Sequence, residues 1–305
     1  MEVSFYIELI ALRIIISVIG VLGNMILIIS IFQMTRLKTF EVILLGLAAV
    51  NLEMIVIVNI YDIMLIRYSY RIGVWACRSL KFLTVFGEIG SILFTVVISI
   101  YRYQKLRDVH TRVNLPIFMD NMRSAIGISA FCCILALLFG VPTFLIDLND
   151  GNGNSSQPGC PADFFHCTLT NCPVRNRTYK YSFILVCILL PLLIVTLTST
   201  MIFRILIVQQ RVVRARHETS VVTSTSQPQR PKKSGLQRST VAILAAMALF
   251  QVDWSIYLIL HLACDPYRFP SWSEVEFLIT TFYTAISPYV YGLGNNLFNI
   301  KRIIS

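Results

Sequence analysis

The sequence predicts an all-α membrane protein built as a bundle of seven transmembrane helices. Three observations carry that expectation. Only 14% of the 305 residues are charged, against about 25% in a soluble domain. Seven apolar stretches each reach about twenty residues, enough to cross a hydrocarbon core of about 30 Å. The stretches are continuous rather than alternating, which favours helices, because lipid offers no water to open backbone groups.

The first stretch, 7–32, has no basic leader or small-residue cleavage site and is expected to act as its own insertion signal. The second and third cover 42–66 and 80–100, the third opened by Cys77 and closed by Arg102 within SIYRYQKLRD. Pro142 falls in the fourth, 124–146, and Pro191 in the fifth, 181–208. Residues 209–238 include VVTSTSQPQRPKKSG, a polar and basic linker expected to be mobile, since it cannot bury enough apolar surface to offset its ordering entropy. It reads either as a solvated connector or as a partner-docking surface. The sixth and seventh stretches are 240–262 and 275–293. Residues 1–305 are thus expected to form one domain, with no internal repeat.

Charge gives the orientation. The loops after stretches one, three and five, with the C-terminal tail, hold 16 Lys or Arg, against 7 on the opposite side. The positive-inside rule places the N-terminus outside. Both N-x-S/T sequons, at Asn154 and Asn176, then fall in the outer loop 147–180, as do Cys160, Cys167 and Cys172. An oxidising exterior favours disulfides there. The net charge of +10 is mainly a topology signal, and a nucleic-acid partner is not expected.

A cysteine opening helix three and an arginine 25 positions later resemble the rhodopsin-like (class A) G-protein-coupled receptors. Other landmarks agree: Gly23-Asn24, Leu47-Ala48-Ala49-Val50-Asn51, Phe250 with Trp254, Ser287-Pro288-Tyr289-Val290-Tyr291, and Phe298 at the distance of a short amphipathic helix eight. The chain departs from that pattern in Tyr101 preceding Arg102-Tyr103 instead of an acid, in Asn51 for Asp, and in Ile256 for Pro. SIYRYQKLRD, LPIFMDNMRSA and AISPYVYGLGNNLF resemble the vomeronasal type 1 receptors and the fish olfactory receptors class A related. The resemblance implies a plasma-membrane receptor of chemosensory neurons. Its partners would be a small odorant or pheromone and a Gi/o-type heterotrimeric G protein, with no cofactor or metal.

The resemblance also implies residue roles. Arg102, Tyr103, Pro288 and Tyr291 belong to G-protein coupling and activation, although an arginine at this boundary also reads as snorkelling. Without an acidic neighbour, Arg102 is expected to be loosely held and basal signalling measurable. In the family's helix arrangement Asn24, Asn51, Ser91 and Ser287 form a neutral polar cluster, read chiefly as interhelical hydrogen bonding and a poor ion site. For the disulfide, Cys77–Cys167 comes first and Cys77–Cys172 second, and Cys160 with Cys172 is a further pairing. Cys132, Cys133 and Cys187 are expected to be free.

Glu88, in the middle of helix three, is costly by at least ~2.5 kcal/mol, which marks it as a ligand or gating group or as a protonated structural residue. Thr84, Glu88 and Ser91 share one helical face, and Trp254, Tyr257 and His261 another. A ligand cavity is expected between them, walled by Phe183, Cys187, Phe277 and Thr281. The aromatics read equally well as packing. Thr84 stands where amine receptors carry aspartate, and helix seven has no lysine for retinal. The ligand's charge stays open: Glu88 argues for a cation or hydroxyl donor, whereas His261 and Arg67, Arg71 and Arg78 argue for an acid. Glu53, Asp62 and Asp253 receive no role. Competing readings are a bitter-taste-like receptor and a small transporter, although no inverted repeat supports the latter. No nucleophile–base pair or metal-ligand motif suggests an enzyme.

Overall fold

The structure, a computed structural model, describes residues 2–67, 73–111, 121–146, 165, 172–221, 233–264 and 272–298. All regular structure among them is helical: α1 (Glu2–Phe32), α2 (Thr39–Arg67), α3 (Val74–Thr111) and α4 (Met122–Gly140), which tightens into a 3-10 turn at Val141–Leu145. α5 runs through Val174–Phe183, a π-helical turn at Ile184–Leu189 and Leu190–Val221. α6 is Lys233–Ala263 and α7 is Trp272–Gly294. Six helices, α1 to α6, are long and apolar enough to cross a membrane. α7 carries its polar residues Thr281, Thr284 and Ser287 fully buried and packs between α1 and α6.

Six of the seven expected spans lie within these helices and the fourth, 124–146, ends one residue past the 3-10 turn, but most of the helices run further. α3 has 38 residues, about 57 Å at 1.5 Å per residue, and so extends well beyond the bilayer core. Likewise, helix covers much of the expected linker 209–238 and the end of the expected loop 147–180. Hydropathy marks where lipid stops, not where a helix stops. Residues 222–232 and the helix-eight segment after Phe298 lie outside the described residues.

α3 is the axis of the bundle, packed against α2, α4 and α5 and touching α6. It approaches α2 through glycine: a Cβ on Gly87 would sit 3.1 Å from the Met54 Cα, and one on Gly46 would enter the Phe94 ring. Small residues at such crossings let backbones meet where lipid supplies no hydrophobic drive between helices. Ile14, Ile15, Val18 and Leu22 of α1 and Phe131 and Leu138 of α4 are exposed, an apolar coat suited to lipid rather than water.

Two prolines lie inside the helices, and one is linked to a distortion. Pro191 has no N–H to give the Cys187 carbonyl, and the π turn ends just before it, with Leu190 N–H bonding Leu185 O. The result keeps Phe183, Ile184, Cys187 and Ile188 all buried. Pro288 lies inside α7. That helix closes in a Schellman turn: Leu297 N–H bonds Gly292 O at 2.8 Å, Asn296 N–H bonds Leu293 O at 3.3 Å, and Asn296 takes φ 56°.

Candidate functional site

In the half of the bundle that holds Cys77, an aromatic ladder climbs α6. Phe250, Trp254, Tyr257 and His261 stack with successive ring centroids 6.1, 5.2 and 4.2 Å apart, as side chains three or four residues apart on a helix must. Glu88 reaches this ladder from α3, with its carboxylate hydrogen-bonded by the Tyr257 hydroxyl and electrostatically coupled to Glu276 of α7. It is 5% exposed, and its Oε1 has no hydrogen-bond partner. His261 Nε2 lies 3.1 Å from Glu276 Oε1. Cys187 and Tyr179 of α5 lie within electrostatic reach of Glu88 from the opposite side. Carboxylate, phenol, imidazole and second carboxylate therefore form one polar belt across α3, α6 and α7, facing α5.

Phe165, from the segment between α4 and α5, covers the belt. Its ring is fully buried, with centroids 5.5 Å from Phe183, 5.7 Å from His261 and 5.9 Å from Tyr179. Tyr179 is itself pinned by a 3.0 Å bond from its hydroxyl to Phe139 O.

Of the expected cavity residues, Glu88, Phe183, Cys187, Trp254, Tyr257 and His261 are brought together. Thr84 is half-buried and returns its hydroxyl to Leu80 O at 3.0 Å, while Thr281 is buried and bonds Phe277 O at 2.6 Å. Phe277 is a correction: its ring packs with Met54 and Val58 of α2 under the Arg13 guanidinium at 3.8 Å. Glu276, one position earlier, is the α7 residue that meets His261. A helix turns 100° per residue, so an assignment one position out points to a different neighbour.

At mid-bundle, Asn51 donates to Ser287 Oγ at 3.2 Å, but Asn24 instead donates to the Gly20 and Thr284 carbonyls at 2.8 and 3.0 Å. Ser91 Oγ has no partner. The four expected cluster residues thus do not form one network. Below them Thr95, Tyr283 and Tyr291 link α3 to α7 through hydroxyl contacts of 2.8 and 3.4 Å. Asp253 is buried beside Tyr283, and Glu53 places its carboxylate over Gly87.

The opposite end of the bundle overturns the expectation of a loose Arg102. Its guanidinium lies 3.7 Å from the Phe40 ring centroid and donates to Asn295 Oδ1 at 2.8 Å. Ser239 of α6 donates to the same oxygen at 2.7 Å, and Asn295 Nδ2 bonds Tyr291 O at 2.8 Å. Cation–π contact and an uncharged acceptor replace the missing acid, and each is worth about 2 kcal/mol when shielded from water. Tyr103 is half-buried, 6.0 Å from the Arg107 guanidinium, and Pro288 is buried against α1 at Gly23.

Cys77 and Cys172 are each disulfide-bonded, while Cys132, Cys133, Cys187 and Cys264 are free. Cys160, Cys167 and Asn154 lie outside the described residues. Asn176 corrects the expected glycosylation: its side chain is fully buried in the first turn of α5, with no room for a glycan. A sequon records sequence and not exposure. Arg78 bonds Ile146 O at 3.3 Å and so ties α3 to the end of the 3-10 turn.

Phe165, Glu276, Asn295 and Phe40 were not singled out from sequence. Glu276 carried a usable signal, a carboxylate just inside an apolar span. Phe165 carried none, since one aromatic in a polar loop says nothing about where the loop folds.

The comparisons agree with this architecture. Residues 23–291 match the sequence profile described as 7 transmembrane receptor (rhodopsin family). The chain is also 25% identical over 300 residues to a protein of Danio rerio named melatonin receptor type 1B-B, covering 94% of this chain and 78% of that relative. The chain belongs to the rhodopsin family of seven-transmembrane receptors, multi-pass membrane proteins that are not enzymes and that couple a small-molecule ligand to a heterotrimeric G protein.

Proposed function

We propose that this receptor is chemosensory. A small odorant or pheromone enters between α3, α5, α6 and α7 beneath Phe165, and the signal passes to a Gi/o-type G protein at the plasma membrane of chemosensory neurons. The N-terminus lies outside in this reading, and Cys77 pairs with Cys167. Glu88 is the ligand contact, with Tyr257 and His261 as walls. The observation that carries the cavity is the open Oε1 of Glu88. A buried acceptor left without a donor costs about 1–3 kcal/mol, and a ligand N–H or O–H removes that cost.

The ladder on α6 supports a route from this site to the G protein. Glu88 touches Tyr257, which stacks on Trp254, then Phe250, whose ring lies 5.4 Å from Tyr283. Tyr283 meets Tyr291, and Asn295 is bonded to the Tyr291 carbonyl and to Arg102. A ligand that moves α6 at Tyr257 strains this chain of contacts, which is how a packed element with two arrangements transmits a signal.

The relative's name makes melatonin the second ligand to try. The test is nucleotide exchange on a reconstituted Gi/o heterotrimer, screened with odorant amines, alcohols and carboxylic acids and with melatonin. At least one odorant should drive exchange and lose about tenfold or more in potency with Glu88→Gln. Activation by melatonin alone, unaffected by Glu88→Gln, would replace both the chemosensory reading and the contact.

A further inference from the structure

The coat that α5 and α6 turn toward lipid is interrupted by an amide. Leu193 and Leu197 of α5 and Val252, Ile256 and Ile259 of α6 are exposed, as lipid-facing side chains are. On the same surface Gln251 of α6 donates through Nε2 to Thr196 Oγ1 of α5 at 3.2 Å. Thr196 gives its own proton to Leu192 O at 2.7 Å. Its oxygen can therefore only accept from Gln251, which turns the amide nitrogen toward Thr196 and leaves Gln251 Oε1 without a donor among the described residues.

Depth makes that open oxygen costly. The apolar span of α6 is Arg238–Ala263, and Gln251 stands 13 residues after its start and 12 before its end. At 1.5 Å per residue either end is about 18 Å away, too far for a glutamine side chain to reach an interface. Water and headgroups are absent at that level, so lipid alone offers no donor. The helix surface around the amide is also open to close approach. Ala245 and Ala248 are exposed within two turns of Gln251, and Thr196 and Thr200 are exposed one turn apart on α5. Small residues with a polar side chain among them are what helix contacts inside membranes use.

We propose that the seam of α5 and α6 is a self-association surface, on which a second copy of this receptor docks about a two-fold axis normal to the membrane. A second copy inserted in the same bilayer brings its own Gln251 to the same depth. A primary amide is donor and acceptor at once, so two of them satisfy each other: the remaining Nε2–H of each copy bonds Oε1 of the other, while the first N–H stays on Thr196. Ala248, one turn from Gln251, lets the two α6 backbones come near enough for that exchange. A different membrane protein would have to place a polar group at this one level, which every copy of this chain does by construction.

Full-length receptor, labelled at its N-terminus with donor or acceptor fluorophore, is reconstituted into phosphatidylcholine liposomes at graded densities, and energy transfer reports the monomer–dimer equilibrium. Gln251→Leu should weaken dimerisation by about tenfold, since an interhelical side-chain hydrogen bond in a membrane is worth about threefold and the symmetric pair has two. Ala248→Leu keeps the amide but fills the approach, and should weaken dimerisation as well. The melting temperature of each variant in detergent should match that of the unsubstituted receptor, which separates a lost contact from a lost fold. The surface is overturned if Gln251→Leu dimerises as strongly as the unsubstituted receptor. It is equally overturned if the unsubstituted receptor stays monomeric at every density, the result expected where another protein, or none, occupies this face.

Discussion

Arg102 of α3 donates a 2.8 Å hydrogen bond to the side chain of Asn295, just past the end of α7. Ser239 of α6 donates to the same oxygen at 2.7 Å. One amide thereby holds together one end of α3, α6 and α7, the end at which the proposed coupling to a G protein would act. The Schellman turn makes this possible, because it ends α7 at Gly294 and turns the chain back within three residues.

Removing that amide should release the arginine. Asn295→Ala deletes a charge-assisted bond worth about 1.5–3 kcal/mol, and any two-state equilibrium it biases shifts by about tenfold or more. Basal nucleotide exchange, measured at matched surface expression, should rise accordingly, and less with Ser239→Ala. A basal rate equal to that of the unsubstituted receptor in Asn295→Ala would show that the clamp does not hold the resting state.

The contact of α2 with α3 gives a paired stability test. A methyl on Gly87 would meet the Glu53 carboxylate at 2.5 Å and the Met54 backbone at 3.1 Å, whereas one on Gly127 of α4 meets nothing within 4 Å. Gly87→Ala should destabilise the bundle by about 1–3 kcal/mol, the usual cost of overpacking. Gly127→Ala should be neutral or stabilising by up to about 1 kcal/mol, because alanine is the better helix former. Melting temperatures in detergent decide it: equal values for the two variants would mean that the helices can move apart freely.

The spans were legible in the sequence because lipid enforces a length and a composition at each of them. The depth of Glu88 and the ladder Trp254, Tyr257 and His261 were legible for a related reason, since they follow from spacing along a single helix. What depended on two helices at once was not. The acidic partner missing at Tyr101 correctly predicted a change at Arg102 and wrongly predicted its freedom, because Phe40 and Asn295 come from elsewhere in the chain. Phe277 was assigned to the cavity and Glu276 overlooked, a rotation of one residue that depends on how α7 sits against α1. Asn176 shows the same limit, in that its sequon is local and its burial is not.

Phe165 is the part of the site furthest from any sequence signal, and it can be tested without a ligand. Its ring touches Phe183, His261 and Tyr179, the outermost aromatics over the polar belt. Cys187 lies buried beneath them, one turn inward of Phe183 and within electrostatic reach of Glu88, and its thiol is free. If the ring is the cover, truncating it opens a path from water to that thiol. Phe165→Ala, in a background with Cys132, Cys133 and Cys264 replaced by serine, should therefore speed modification of Cys187 by a small membrane-impermeant thiol reagent by about tenfold. That is the effect expected if closure has been held by about 1.4 kcal/mol of ring packing. Phe165→Leu, which keeps most of the apolar bulk, should lie between the two. An unchanged rate in Phe165→Ala would mean that the cavity is sealed by something other than this ring, and that ligands reach Glu88 by another path.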